Sequence, residues 1–120
     1  MSEIFKTEVV EIGADTPEFK EIAMAILFGN QAPDALRSSC FIINVEPVSA
    51  EIKKGMKVHF DDKEYTITAV GGEVQTNLTN LGHIAISFTG LTEPELPGTL
   101  YVSEGDYPEF KVGTTISITD

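Results

Sequence analysis

Three times along this chain a glycine placed for a tight turn is followed, three residues later, by an apolar residue inside a segment of alternating character. The three stretches are Lys54-Gly55-Met56-Lys57-Val58, Pro97-Gly98-Thr99-Leu100-Tyr101 and Val112-Gly113-Thr114-Thr115-Ile116. Glycine reaches positive φ at little steric cost, so each marks a corner where the chain turns sharply into a strand. None opens a helix after a strand within a longer glycine-rich run, so none is a phosphate-cradling loop. β-rich segments bounded by Gly, Pro and Asp are expected over residues 4–12, 24–28, 40–45, 56–60, 64–70, 83–88, 99–102 and 114–119. Short strands at this spacing build a sandwich or barrel. The expected fold is all-β, a small closed or nearly closed β-barrel with one or two short helices.

Asp61-Asp62, between Val58-His59-Phe60 and the run from Lys63 to Thr68, suits a two-residue hairpin turn. Thr16-Pro17-Glu18-Phe19 reads as a helix start, with Thr16 as N-cap, Pro17 in the first turn and Glu18 favoured by the helix dipole. Met24-Ala25-Ile26-Leu27-Phe28 suits a helix or a buried strand, and a strand is the reading adopted. A further helical turn is expected over residues 33–38 and another over 77–81, with Asn77 capping the start of the latter and Gly82 ending it in the left-handed conformation.

With 120 residues, 42% of them apolar, residues 1–120 suffice for one domain with a single core. Nineteen acidic residues against eight basic ones give a net charge of −11, which opposes nucleic acid and anionic lipid as partners. No apolar run approaches the roughly 20 residues of a membrane-spanning helix, and Met1 to Lys6 hold neither a basic stretch nor a following apolar run. A cytoplasmic protein without a secretory signal or direct membrane insertion is expected. The lone Cys40 excludes an internal disulfide and reads as a buried thiol in Cys40-Phe41-Ile42-Ile43. Two histidines without metal-ligand spacing give no metal motif, and no cofactor is expected. Glu93, Glu95, Glu104 and Asp106 fall in expected loops as a solvated acidic face, and no local serine motif marks a catalytic triad.

Chemistry concentrates at Asn77-Leu78-Thr79-Asn80-Leu81-Gly82-His83-Ile84-Ala85-Ile86-Ser87-Phe88. A period of two sends Ile84, Ile86 and Phe88 to the core and His83, Ala85 and Ser87 outward, leaving the imidazole in a shallow depression between small neighbours. Neutral imidazole is nucleophilic near pH 7, and its phosphoramidate is reactive enough to pass a phosphoryl group onward. The Gly82 N–H, the Ser87 hydroxyl and the Asn80 amide are candidate donors to phosphoryl oxygens. The alternative is that His83 anchors the turn and does not react. His59, alternating with Val58 and Phe60, reads as a solvent-facing strand residue.

The same region, continuing through Phe88-Thr89-Gly90-Leu91-Thr92-Glu93-Pro94-Glu95-Leu96-Pro97-Gly98-Thr99, resembles the glucitol/sorbitol-specific IIA component of the bacterial sugar phosphotransferase system. Ile12-Gly13-Ala14, residues 29–34 with Ala32-Pro33, Cys40-Phe41-Ile42 and Thr68-Ala69-Val70-Gly71 extend the resemblance over most of the chain. It implies a IIA-type phosphocarrier that accepts phosphoryl from HPr on a histidine and passes it to the IIB component, working with IIB and IIC in sugar uptake. The family pattern places a histidine directly after Cys-Phe-Ile and a second two residues later. Here those positions are Ile43 and Val45, so His83 becomes the candidate acceptor. The alternative from another class is a IIA-like regulatory or binding protein that is not phosphorylated. The sugar and the oligomeric state are not encoded legibly.

Overall fold

A computed structural model describes residues 2–120; Met1, the first residue of the expected 1–120 domain, lies outside the described residues. Eight strands form a closed barrel: β1 (Glu3–Ile12), β2 (Met24–Gly29), β3 (Phe41–Ile43), β4 (Lys57–Phe60), β5 (Lys63–Val70), β6 (Ile84–Ser87), β7 (Thr99–Val102) and β8 (Thr115–Thr119). Around the ring the order is β1-β3-β2-β6-β7-β5-β4-β8, and β8 pairs back onto β1. The pairs β2·β3 and β6·β7 are parallel and the remaining six are antiparallel. Closure leaves no open sheet edge. Three short helices, α1 (Thr16–Lys20), α2 (Asp34–Arg37) and α3 (Val74–Leu81), lie in the connections. The expected turn over residues 33–38 is thus a helix in its own right.

Strand alternation fills the barrel. Val58 and Phe60 of β4, Tyr65, Ile67 and Ala69 of β5, and Ile116 and Ile118 of β8 are all buried, and burying one large apolar side chain contributes about 1.5–3 kcal/mol. Phe60, Tyr65, Phe88, Tyr107 and Phe110 meet in tilted and edge-on ring pairs inside this core. Ile43 is fully buried in the same cluster. On the opposite face of β2 and β3, Phe28, Ile42, Ala32 and Cys40 form a second, smaller cluster. Cys40 is buried as expected, and its thiol donates to Leu36 O at 3.1 Å.

The two halves of the chain repeat each other at an offset of 58 residues, the separation of Gly55 and Gly113, slipping by one to 59 just before β3 and β7. Gly55 N–H bonds Ile67 O and Gly113 N–H bonds Val9 O, while Ile67 N–H returns to Met56 O and Val9 N–H to Thr114 O. Gly13 N–H bonds Cys40 O where Gly71 N–H bonds Thr99 O, and Asp15 N–H bonds Ser38 O where Glu73 N–H bonds Pro97 O. Helix α1 therefore corresponds to α3, and β1, β2, β3 and β4 to β5, β6, β7 and β8. Two of the three glycine corners, Gly55 and Gly113, are one position of this repeat, both with positive φ. Gly98 is not: its φ is not positive, and it opens β7 without a left-handed corner.

Two helix starts differ from expectation. Asp15, not Thr16, occupies the N-cap position of α1, and the Thr16 hydroxyl bonds back to Gly13 O at 3.0 Å, so Thr16 closes the turn from inside the helix. Helix α3 begins at Val74 after Glu73, a turn earlier than Asn77, because Glu73 N–H and Val74 N–H are already held by Pro97 O and Gly71 O. The Asp61-Asp62 hairpin forms between β4 and β5, with Asp61 left-handed at φ 53°.

Candidate functional site

Helix α3 ends as the sequence implies, and its ending places His83. Gly82 is left-handed at φ 66°; its N–H bonds Leu78 O at 3.1 Å, and His83 N–H bonds Asn77 O at 3.2 Å. The Gly82 bond is the αL type of helix ending, and the further bond to Asn77 O ties the backbone of His83 to the helix. One residue later the chain enters β6, where Ile84 pairs with Leu27 of β2. The next step along that antiparallel ladder sets Phe28 opposite His83. Their rings lie 4.0 Å apart between centroids at 51°. His83 is therefore half-buried on the outer face of the barrel, between a helix end and the Phe28 cluster.

Burial pushes the His83 imidazole below its ordinary pKa, which keeps it neutral at pH 7. No hydrogen bond to either ring nitrogen is found among the described residues. A helix C-terminus would by itself favour the cationic imidazolium. Here part of the carbonyl end is taken: Asn77 O accepts from His83 N–H, Leu78 O from Gly82 N–H, and Leu81 O from the Gln31 side-chain amide at 3.5 Å. Two glycines keep the surface beside the imidazole low. A Cβ on Gly29 would come within 2.5 Å of Val45 Cγ2 and 2.6 Å of Leu81 O, and one on Gly82 would lie 3.1 Å from Gly29 N. Val45 and Leu81, each 40% exposed, form an apolar rim.

None of the donors expected from sequence hydrogen-bonds the His83 ring among the described residues. The Gly82 N–H is committed to the helix end. Ser87 stands four strand residues away, about 13 Å at 3.3 Å per residue. It is buried, with its hydroxyl 2.9 Å from Thr89 Oγ1. Asn80 is exposed on α3 and makes no side-chain bond among the described residues. Three residues that sequence reading passed over complete this surface: Phe28, Gly29 and Gln31. The ladder step that pairs Phe28 with His83 follows from the β2·β6 register, which local motifs do not specify.

His59 lies on the outer face of β4, as its alternation implies. Its Nε2 is 2.9 Å from Thr119 Oγ1 and its Nδ1 3.8 Å from the Glu64 carboxylate, so both ring nitrogens face partners on neighbouring strands. Position 43, where the family pattern implies a histidine, is a fully buried isoleucine pointing into the barrel. Val45, two residues on, touches the glycine pair beside His83. Among the described residues no group of three or more metal-ligating side chains occurs, and no helix is long and apolar enough to cross a membrane.

The barrel is that of a phosphotransferase-system IIA protein. It superposes on the crystal structure of a PTS system IIA component from Enterococcus faecalis V583 with a TM-score of 0.83 and 26% identity, over 97% of this chain and all of that one. A family model for the PTS system glucitol/sorbitol-specific IIA component matches residues 4–117. PTS system glucitol/sorbitol-specific EIIA components from Shigella flexneri and Escherichia coli (strain K12) are each 34% identical over 109 residues, 91% of this chain and 88% of theirs. The chain belongs to the glucitol/sorbitol-specific IIA component family of the sugar phosphotransferase system.

Proposed function

We propose that this protein is the phosphocarrier of a glucitol/sorbitol-like phosphotransferase system and that His83 is its acceptor. The observation that carries this reading is the state of the His83 side chain: its backbone fixed by a helix end, its ring packed at a tilt against Phe28, kept neutral by burial, and with no hydrogen bond to either ring nitrogen among the described residues. An unprotonated ring nitrogen attacks the phosphorus of phosphorylated HPr. A P–N bond to His83 forms as the bond from phosphorus to the donor breaks, and the donor keeps the electron pair. Transfer to the IIB component reverses this at the same nitrogen. The hydrogen bonds accepted by Leu78 O and Leu81 O at the end of α3 reduce repulsion of the incoming phosphoryl.

A second reading is favoured by Ile43. With a buried aliphatic side chain where the family pattern places a histidine, the protein would act as a IIA-like binding partner of the other components without carrying phosphoryl. Incubation with phosphoenolpyruvate, enzyme I and HPr separates the two. The carrier gains one acid-labile, base-stable phosphoryl group, His83→Ala loses it while staying folded, and His59→Ala keeps it. A wild-type protein left unlabelled by active partners would overturn the carrier reading in favour of the second.

A further inference from the structure

The repeat exposes an asymmetry between the two ends of the barrel. In the second half, α3 seals its end: Val74, Leu78 and Leu100 are 0% exposed, Ile52 is 3% exposed, and the Gln75 side chain clamps the 44–56 connection through Ile52 N at 2.8 Å and Ala50 O at 3.1 Å. Each of these has a counterpart on α1 and its surroundings. Gln75 corresponds to Pro17, which has no donor to clamp a loop; Leu78 to Lys20; and Ile52 to Phe110, which is half-buried. The 103–114 connection is instead anchored by Tyr107 Oη donating to Met24 O at 2.9 Å and by Phe110 stacking on Phe41 at 4.0 Å. A cleft of about 320 Å³ remains open where the related end of the barrel is closed.

The lining of this cleft selects its occupant. Its floor is aromatic, from Phe41, Phe110 and Tyr107, with Ile12 and Pro17 beside them, and its volume matches the lower end of small-molecule sites. Two charges stand on the rim. Glu109 is paired with Lys111 at 3.4 Å, whereas Lys20 forms no ion pair among the described residues and sits 5.8 Å over the Tyr107 ring. The uncompensated rim charge is therefore positive, in a protein whose net charge is −11. We infer that this cleft binds a small aromatic carboxylate, its ring on the Phe41–Phe110 floor and its anionic group on Lys20. The site is separate from His83 and does not depend on the carrier reading.

Phenylacetate is a suitable probe, followed by the ring-proton NMR shifts of Phe41, Tyr107 and Phe110. Saturable shifts with a dissociation constant on the order of millimolar are expected, the range open to a ligand of this size. Benzylamine, of similar shape and opposite charge, should bind at least about tenfold more weakly. Lys20→Leu, which gives α1 the residue of its counterpart, should lose phenylacetate binding by a similar factor while the unfolding temperature stays the same or rises. Absence of saturable shifts, equal binding of benzylamine, or undiminished binding in Lys20→Leu would overturn the assignment. So would equally tight binding of uncharged N-acetylphenylalanine amide, which would mark the cleft as a seat for an apolar side chain of a protein.

Discussion

At His83 two local effects oppose each other. Desolvation against Phe28 disfavours the imidazolium, while a helix C-terminus favours it; the net direction is downward, with burial as its cause. The folded-state pKa is thus below the unfolded value of about 6.5. The unfolded chain binds the proton more readily, so stability is full above that value and falls as pH drops through the folded pKa. Measured by thermal unfolding from pH 8 to pH 5, the wild-type protein should lose more stability than His83→Ala, which lacks this proton. Equal loss in both would show the imidazole to be solvated. Tyr107 titrates in the other direction: burial raises its phenol to about 12, and Tyr65 is raised as well by burial and Asp106, so the ultraviolet absorbance of at least one of the three tyrosines should remain that of the neutral phenol at pH 11. Of the candidate site, His83 and the left-handed Gly82 were legible in sequence because both belong to one local motif. Phe28, Gly29 and Gln31 were not, because they arrive through strand register and a loop some 50 residues away in sequence, the separation of Gln31 and Leu81.

Helices α1 and α3 are each entered through a glycine that has no room for a side chain. A Cβ on Gly13 would lie 2.2 Å from Ser38 O, and one on Gly71 would lie 2.4 Å from Pro97 O, both backbone atoms. Gly72, next in sequence, has open space and no positive φ. Gly13→Ala and Gly71→Ala should therefore each cost about 2 kcal/mol or more by urea denaturation, and Gly72→Ala less than about 0.5 kcal/mol. A tolerant Gly13 with an intolerant Gly71 would argue against equivalence of the two turns. The strands themselves were read from alternation to within a few residues, since each buries one face. The start of α3 was misplaced because Glu73 bonds the turn through its backbone and offers no side-chain cap for the sequence to reveal. In residue identity the repeat shows at Gly55 and Gly113 and at Gly13 and Gly71. Elsewhere the halves keep the hydrogen bonds and change the residues, as Gln75 against Pro17 and Leu78 against Lys20 illustrate.

At the scale of the molecule, a closed ring of eight strands leaves loops and helix ends as the places where partners can be met. The net charge of −11 predicts no appreciable affinity for nucleic acid at physiological salt, and a salt-sensitive micromolar complex in a gel-shift titration would contradict that. The barrel interior also explains why position 43 is not simply restored. Ile43→His would put an imidazole at a site with 0% exposure, and chemical denaturation should register a loss of about 2 kcal/mol or more. On the proposed reading the acceptor is instead His83, a histidine on the outer face of the barrel. Tandem mass spectrometry of the wild-type protein, phosphorylated by phosphoenolpyruvate, enzyme I and HPr and digested at alkaline pH, locates the group directly. The phosphoryl should be found on His83; its presence on His59, or its absence from the whole chain, would contradict the account.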